Sequence, residues 1–228
     1  MMKVLIVVPA YNEEENIVKT IEDIKRNTNN DYIIIDDCSK DKTYEVCKKN
    51  RFNVLHLPIN YGLTSGVQVG FKYALENAYD ALIQFDGDGQ HMAEYIDIMA
   101  KELENGYDIV IGSRFVTEKK PYSSRMIGSR LISFLIKVVT GKRINDPTSG
   151  MRMFSSRVFN DFANSMNYPP EPDMLACMIK RGYKIREVQV EMRDREFGES
   201  YLNPIRSMKY MLEMCVSILF IQSFRKRE

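Results

Sequence analysis

The chain has 228 residues, of which 44% are apolar, and it carries 32 Lys and Arg against 31 Asp and Glu. This composition predicts a globular protein of one domain or two and excludes a disordered chain. The net charge of +1 gives no general attraction to nucleic acid, so we expect no such partner. Four cysteines without metal-ligand spacing indicate reduced thiols, and no apolar run has the length of a signal peptide or membrane span. We therefore expect a cytoplasmic protein.

The first half of the chain alternates apolar strands with helical segments. Strands are predicted at 3–8, 32–36, 53–57, 81–85 and 108–112, and helices at 13–26, 40–50, 64–77 and 93–105. This βαβα order predicts an α/β fold, in which helices flank both faces of a mostly parallel sheet.

The second half has a different pattern, with two very apolar helices predicted at 123–140 and 208–224. Strands are predicted at 150–154 and 184–191, and a further helix at 172–181. On the helix at 123–140, Ile132, Leu135, Ile136 and Val139 share a face that either touches a bilayer or lies in the core. The last helix either lies on a membrane surface, binds a membrane partner, or packs in the core or in a homo-oligomer.

Positive charge is concentrated in one segment. From Arg114 to Arg157 there are ten Lys and Arg against two acids, Glu118 and Asp146, which leaves 22 basic and 29 acidic residues elsewhere. Such a patch predicts an anionic partner or an anionic membrane surface. A solvated basic face is the alternative.

The most informative polar motif is Asp86-Gly87-Asp88-Gly89-Gln90-His91, which follows the predicted strand at 81–85. Alternation along a strand would send Asp86 and Asp88 to the same side. Ligands of open α/β sheets bind at the carboxyl edge of the strands, where these oxygens could hold a hard cation or face a diphosphate. A polar β-turn is the alternative, because Asp and Gly are also common in turns.

Two other observations narrow the class of ligand. The first strand is not followed by G-x-G-x-x-G, and no G-x-x-x-x-G-K-[ST] occurs, which argues against nicotinamide, flavin and P-loop proteins. The second strand ends in Asp36-Asp37-Cys38-Ser39, where a carboxylate could accept the imide N–H of a uracil ring. Ser39 could also cap a helix that begins at Lys40, and the two roles are compatible.

Together these motifs resemble the family 2 inverting glycosyltransferases of the GT-A fold. The matching segments occur in the expected order between residues 4 and 115, namely 9–13, 36–39, 60–62, 86–91 and 112–114. The second half resembles the polyprenyl-phosphate glycosyltransferases of that family, such as dolichyl-phosphate mannose synthases, at 125–130, 146–152 and 195–200. The resemblance implies a nucleotide-sugar half at 1–115, an acceptor half of the same domain at 116–202, and an apolar helix at 203–228.

The resemblance also implies roles for individual residues. The nucleotide would be held by Pro9, Tyr11, Glu13, Asp36, Asp37, Asp86 and Gly87. A divalent cation, Mg²⁺ or Mn²⁺, would be held by Asp86, Asp88 and Gln90. The acceptor phosphate would be bound by Arg114, Arg125, Ser129 and Arg195.

The leading hypothesis is a peripheral enzyme at the inner face of the membrane. It would move a sugar such as glucose or N-acetylglucosamine from a UDP-sugar to undecaprenyl or another polyprenyl phosphate, for cell-envelope glycan synthesis. Asp88, Arg114 and Arg125 would be its catalytic residues. Alternatively, the acceptor is a saccharide hydroxyl on a lipid carrier or a polysaccharide, and Glu171 or Asp173 is the general base. Both acids could instead cap the helix that follows. A nucleotide-sugar-binding subunit without catalysis is the third hypothesis.

Overall fold

The computed structural model describes residues 2–164, 171–194 and 204–221, and within these it leaves out the side chains of 124–125, 204–208 and 221. The strands are β1 (Val4–Ala10), β2 (Asp31–Asp36), β3 (Val54–His56), β4 (Ala81–Gln84), β5 (Ile109–Ser113), β6 (Arg152–Ser155) and β7 (Ile185–Gln189). The helices are α1 (Ile17–Asn27), α2 (Thr43–Lys49), α3 (Leu63–Glu76), α4 (Ile96–Glu104), α5 (Ser124–Thr140), α6 (Phe159–Asn164), α7 (Pro172–Lys180) and α8 (Pro204–Val216). A 3₁₀ turn (Ala93–Tyr95) precedes α4, and a π turn (Ser217–Ile221) follows α8.

The seven strands form one sheet in the order β3-β2-β1-β4-β6-β5-β7. Strand β6 is antiparallel to both β4 and β5, and the other pairs are parallel. The predicted mostly parallel α/β sheet is therefore confirmed. Strand β6, from the second half of the chain, lies between β4 and β5 of the first half, so the two halves share one sheet.

Helices cover both faces of the sheet, because alternate strand residues point to opposite sides. Leu5 and Val7 of β1 belong to one buried cluster with side chains of α3, α5, α6 and α7. Val4 and Ile6 belong to a second cluster with side chains of α1 and α4. Helix α6 was not predicted from the sequence. Its short apolar run is held by tertiary packing, in which Phe162 stacks on Phe71 at a ring separation of 4.6 Å.

On helix α5, the face that was predicted either to touch a bilayer or to lie in the core lies in the core. Ile132 and Ile136 are fully buried, and Leu135 and Val139 pack partly against the same core, so the proposal that this face touches a bilayer is wrong. The exposed side chains form another line on the helix, which we call the apolar stripe: Ile127, Leu131, Phe134 and Val138, exposed by 62%, 47%, 60% and 60%. None of the described helices combines the length and the apolar character that a membrane span requires.

Helix α8 packs against α5 and α7. The contact with α5 is very close at Gly128, where an added Cβ would lie 1.5 Å from the Sδ atom of Met211. On its outer side α8 and the following turn expose Leu212, Val216 and Phe220.

Candidate active site

The motifs of the first half meet at one edge of the sheet. Strands β1, β2 and β4 are parallel neighbours that end at Ala10, Asp36 and Gln84. The polar residues that follow each of them therefore lie side by side along the carboxyl edge, where ligands bind in open α/β sheets. This is the arrangement that the motif order predicted.

Asp36 lies below the surface of this edge and organises its neighbours. Its carboxylate is fully buried and accepts hydrogen bonds from the Ser39 hydroxyl and, at 2.5 Å, from Nδ1 of His56. Ser39 Oγ in turn accepts the backbone N–H of Asn12 at 3.0 Å. The alternative in which Ser39 caps a helix at Lys40 is wrong, since α2 begins at Thr43 and Ser39 is held by Asp36.

Asp37 ties a second motif to this edge. Its carboxylate accepts the backbone N–H groups of Tyr61 and Gly62 at 2.8 and 2.7 Å, and its carbonyl accepts Nδ2 of Asn60 at 3.1 Å. These bonds hold the Asn60-Tyr61-Gly62 segment, which follows β3, next to the end of β2. The rings of Tyr61 and Tyr11 are 55% and 40% exposed at this edge. They present aromatic surface that could stack on a base.

Glu13 and Pro9 also lie at this edge, and each contacts neighbouring parts of the protein. The Glu13 side chain is 8% exposed and accepts Nδ2 of Asn16 at 2.7 Å, while its backbone N–H donates to Thr43 Oγ1 at 2.8 Å. The Pro9 carbonyl lies close to Gly87, where an added Cβ would approach it to 3.1 Å. The absence of a side chain at position 87 therefore lets the Asp86–His91 loop sit directly against β1.

Asp86 and His91 hold each other in place at the start of that loop. The backbone N–H of Asp86 donates to Nδ1 of His91 at 3.0 Å, so the ring proton is on Nε2, 3.6 Å from Oδ2 of Asp86. Gln84 Nε2 donates to the other carboxylate oxygen of Asp86 at 3.2 Å. The Asp86 carboxylate remains one-third exposed, at 33%.

The expectation that Asp86 and Asp88 alternate along a strand is wrong. Strand β4 ends at Gln84, and the chain turns at Gly87-Asp88 before Gly89, which has φ +76°. The turn is held by a bond of 3.1 Å from the backbone N–H of Gln90 to Oδ1 of Asp88. The turn alternative and the ligand hypothesis are therefore compatible, because the turn itself presents the carboxylates.

The far end of the loop is tied to α1 and to the segment after β7. Arg193 donates its backbone N–H to the Gln90 carbonyl at 2.9 Å, and its carbonyl accepts Nε2 of Gln90 at 3.3 Å. The Arg193 guanidinium contacts Asp23 of α1 at 3.0 Å, and Thr20 Oγ1 of the same helix donates to the Gly87 carbonyl at 3.1 Å. These bonds orient the Gln90 amide by its nitrogen, so its oxygen is the atom that the predicted cation site would use.

The donor set fits a hard divalent cation. Two carboxylates and one amide oxygen, from Asp86, Asp88 and Gln90, are the oxygen ligands that Mg²⁺ and Mn²⁺ prefer. Gly150 faces Asp86, and an added Cβ there would lie 2.6 Å from its Oδ2, so the site depends on a residue without a side chain. Among the described residues, no group of three His, Cys, Asp or Glu is placed to hold a metal. A cation bound by Asp86 and Asp88 would therefore need further oxygen ligands, from Gln90 and from the bound diphosphate.

Among the residues predicted to bind the acceptor, Arg114 forms a two-pronged ion pair with Asp146. Its Nε and Nη2 atoms lie 2.7 and 2.9 Å from the two oxygens of that buried carboxylate. Burial alone would raise the pKa of Asp146, but the hydrogen bonds and charge of Arg114, with the charge of Lys120, hold it below its usual range. Asp146 thus fixes the guanidinium plane and leaves further donors of Arg114 for a ligand.

Lys120 is a functional candidate that the sequence analysis missed. Its Nζ donates to the hydroxyl of Ser129 at 2.8 Å, and Ser129 Oγ also lies 3.3 Å from Oγ1 of Thr148. Burial lowers the pKa of the Lys120 ammonium, as do the charges of Arg114 and Arg130, although nearby carboxylates partly oppose them. The only sequence signal for Lys120 is its place in the basic segment, because it lies in a loop without periodicity.

The two proposed bases, Glu171 and Asp173, are both covered by the C-terminal helix. Tyr210 donates its phenol to the Glu171 carboxylate, and Ser217 donates its hydroxyl to Asp173 at 2.6 Å. Burial raises the pKa of Glu171, which the Tyr210 hydrogen bond and the charge of Arg152 partly offset. The capping alternative is confirmed by position, since Glu171 is the N-cap residue of α7 and Asp173 lies in its first turn, although the Glu171 side chain makes no capping bond. No sequence pattern marked Tyr210, and Arg152, which is 1% exposed, was marked only by its place in the matching segment 146–152.

Two predicted phosphate ligands are not placed by these contacts. Arg195 lies outside the described residues, and Arg125 is on α5 but its side chain is outside them too. The helix spacing puts Arg125 one turn before Ser129, on the same face. Its predicted role therefore stays a prediction.

Comparison with known proteins assigns the family. Residues 5–162 match the model of glycosyl transferase family 2. The chain is 30% identical to undecaprenyl-phosphate mannosyltransferase of Micrococcus luteus, over 89% of this chain and 88% of that protein. It is 26% identical to UDP-N-acetylglucosamine–dolichyl-phosphate N-acetylglucosaminyltransferase of Methanococcus voltae, over 86% and 87%.

A solved structure confirms the fold assignment. Glucosyl-3-phosphoglycerate synthase of Mycobacterium tuberculosis, determined with Mn²⁺, UDP-glucose and phosphoglyceric acid, superposes with a TM-score of 0.71 at 14% identity, over 99% of this chain and 81% of that one. At this identity the likeness concerns the GT-A fold alone. With the family match over most of the chain, the hypothesis of a subunit without catalysis gives way to that of an enzyme. The chain belongs to glycosyl transferase family 2, and it is a glycosyltransferase of the GT-A fold.

Proposed function

We propose that this enzyme transfers a sugar from a UDP-sugar to a polyprenyl phosphate, with inversion at the anomeric carbon. Two relatives support the acceptor class, since their names specify undecaprenyl phosphate and dolichyl phosphate. The second of these names also specifies a UDP-sugar donor. The sugar is a hexose such as glucose or N-acetylglucosamine.

The observation that carries the proposal is the contrast between basic and acidic groups on the acceptor side. The Lys120 ammonium contacts Ser129, and Arg114 is held nearby by Asp146. Glu171 and Asp173 are engaged by hydroxyls of the C-terminal segment. A phosphate monoester is already anionic near neutral pH, so it needs charge compensation and alignment instead of a general base. The cationic groups meet that need.

On the donor side, the carboxyl edge supplies orientation. Asp37 holds the segment that carries the exposed Tyr61, and Asp36 holds Ser39 below it. We assign the nucleoside to this region, with Pro9, Tyr11 and Glu13 lining its β1 side. When bound at Asp86, Asp88 and Gln90, a divalent cation would offset the negative charge of the leaving diphosphate. The loop around His91 keeps Asp86 aimed at that charge.

A saccharide hydroxyl acceptor is the second candidate, and one observation favours it. Burial raises the pKa of Glu171 toward the range in which a carboxylate is an efficient general base. This reaction would require Glu171 to exchange its Tyr210 partner for the acceptor hydroxyl. We rank it second for that reason.

We further propose that the enzyme works as a peripheral protein at the inner face of the membrane, where a polyprenyl acceptor lies. The exposed stripe on α5 and the outer side of α8 supply apolar surface for that contact. A small membrane partner or a homo-oligomer would be the alternative cover for this surface.

A direct assay tests the proposal. Purified protein is incubated with a panel of UDP-sugars, Mn²⁺ or Mg²⁺, and either a short-chain prenyl phosphate or a lipid-linked saccharide. We expect an acid-labile prenyl-phosphate-sugar with the first acceptor only. Transfer to the saccharide alone would favour the second candidate and show that the phosphate-acceptor proposal is wrong.

A further inference from the structure

A cleft lies beside α5, on the side away from α8. It has a volume of about 730 Å³ and is bounded by the loop that links β5 to α5, by α5 itself and by the segment after it. Its charged lining residues are Lys119, Lys120, Arg130, Lys137, Arg143 and Glu118. With five cations and one carboxylate, the lining has the charge of an anion site.

The loop wall of the cleft is fixed by Arg130. Its Nη2 donates to the Lys120 carbonyl at 2.6 Å, and its guanidinium lies over the Tyr122 ring, 4.8 Å from the centroid. The Lys120 ammonium donates a hydrogen bond of 2.8 Å to the hydroxyl of Ser129. Two of the five cations are therefore committed to the loop and to the predicted acceptor site. Lys119, Lys137 and Arg143 are exposed and remain for a ligand in the cleft.

The cleft and the apolar stripe adjoin. Arg130, Ser133, Phe134 and Lys137 of α5 line the cleft, and Phe134 is also part of the stripe. Positions 130, 133, 134 and 137 share one side of a helix, next to the side that carries the stripe. A cationic pocket beside a line of exposed apolar side chains matches the chemistry of an amphiphile with an anionic head.

We propose that this cleft binds the phosphate headgroup of an anionic membrane phospholipid, while the apolar stripe contacts its acyl region. The inference rests on the proposed membrane location of the enzyme. It differs from the predicted acceptor site, because Lys119, Lys137 and Arg143 line the cleft and are exposed, whereas Ser129 is 2% exposed and does not line it. A bound headgroup would orient the enzyme with its acceptor side toward the bilayer.

Vesicle flotation of the full chain tests this site. Binding is measured to vesicles of phosphatidylcholine alone and to vesicles that also contain phosphatidylglycerol. The test variant is Lys137→Glu with Arg143→Glu, and the control is Lys48→Glu with Lys49→Glu, the same change of charge on exposed residues at the end of α2. We expect the test variant to bind phosphatidylglycerol vesicles at least about tenfold more weakly, and the control to change less than about twofold.

A second measurement separates a lipid site from an acceptor site. Turnover with a short, water-soluble prenyl phosphate is compared without vesicles, and the test variant should keep the kcat/KM of the unmodified protein. Loss of this turnover in a folded variant would assign the cleft to the acceptor phosphate and overturn the proposal. The milder Lys137→Gln with Arg143→Gln replaces it if the charge reversal unfolds the chain.

Other outcomes are equally decisive. Equal binding of the unmodified protein to neutral and anionic vesicles, or binding to neither, would overturn the headgroup site. Equal weakening by the test and control variants would attribute the effect to net charge and also overturn it. Selective vesicle binding without sugar transfer to any acceptor would leave the headgroup site standing and sink the proposed function alone.

Discussion

The Ser217 hydroxyl donates a hydrogen bond of 2.6 Å to the Asp173 carboxylate, and so joins the C-terminal segment to the first turn of α7. Tyr210 of α8 makes a second link of the same kind, because its hydroxyl donates a hydrogen bond to the Glu171 carboxylate. Both acids are largely removed from water. The C-terminal segment is therefore attached to the proposed acceptor side of the site, and it is also a source of exposed apolar surface.

Replacement of Tyr210 by Phe should weaken this attachment. The change removes a hydrogen-bond donor from the mostly buried Glu171 carboxylate, and we expect the free energy of unfolding to fall by about 1–3 kcal/mol. Tyr122→Phe is the control, because that ring is 96% exposed, and it should change stability by less than about 0.5 kcal/mol. Urea unfolding followed by circular dichroism measures both. Equal midpoints for the two variants would mean that the Tyr210 bond carries no stability.

The pH dependence of stability should report the burial of Glu171. Burial raises its pKa in the folded protein, so the folded state holds the proton more tightly than the unfolded state does. Its contribution is present below the unfolded pKa, about 4.3, and is lost as the pH rises through the folded value. The free energy of unfolding, measured across this range, should therefore decline more for the unmodified protein than for Glu171→Gln. The exposed Glu76→Gln serves as control, and parallel curves for all three proteins would contradict the assignment.

Arg114→Ala should destabilise the protein strongly as well as impair transfer. It leaves the buried Asp146 carboxylate without its two-pronged partner, a loss of about 3–5 kcal/mol. Arg186→Ala breaks a more exposed pair with Glu102, 3.8 Å apart, and should cost about 0–1 kcal/mol. Since Arg114 contributes to a depressed pKa for Asp146, this stabilisation is present at neutral pH and is lost as the pH falls. Thermal unfolding at several pH values would test the sign.

Asp88→Asn should remove metal-dependent turnover while it leaves the fold intact. The amide can still accept the Gln90 N–H in the turn, but a negative ligand of the cation is gone. We expect turnover to fall on the order of a hundredfold or more, together with weaker Mn²⁺ binding in electron paramagnetic resonance titrations with UDP. Asp97→Asn, an exposed change on α4, is the matched control. Full activity of the Asp88 variant in the presence of a chelator would sink the metal assignment.

The contact of α5 with α8 can be tested by a double-mutant cycle. A methyl group at Gly128 would collide with Met211, so Gly128→Ala should cost about 1–3 kcal/mol of stability. In a Met211→Ala background the added methyl group has more room, so the same change should lower the free energy of unfolding by less. The coupling energy between the two sites is the measured quantity. A coupling of zero would contradict the packing of α8 on α5.

Much of the donor edge was predictable because it depends on local pattern. Each apolar run is followed at once by its polar motif, and parallel strands bring such ends together. This reasoning placed Asp36, Asp37 and Asp86 on one edge. It failed for the orientation of Asp88, since a turn held by Gln90 replaces the last strand residues. Strand length is decided by pairing partners, which periodicity does not reveal.

The acceptor side was less predictable because its contacts join distant segments. Lys120 reaches Ser129 from a loop, and Tyr210 reaches Glu171 from a helix 39 residues later. The pattern of residues within a loop or a helix does not reveal contacts between such distant segments. On α5, apolar residues surround most of the helix, so the pattern did not distinguish Ile132, which is buried, from Leu131, which is exposed.

By itself, the amino-acid sequence determined the α/β class, the family resemblance and the set of polar residues at the strand ends, because adjacent residues encode these features. The tertiary structure alone decided that β6 enters the sheet antiparallel between β4 and β5, that α5 faces the core with Ile132 and Ile136, and that α8 covers Glu171 and Asp173. These outcomes depend on which apolar surfaces bury one another and which buried acids find donors, and that choice is made by the whole folded chain.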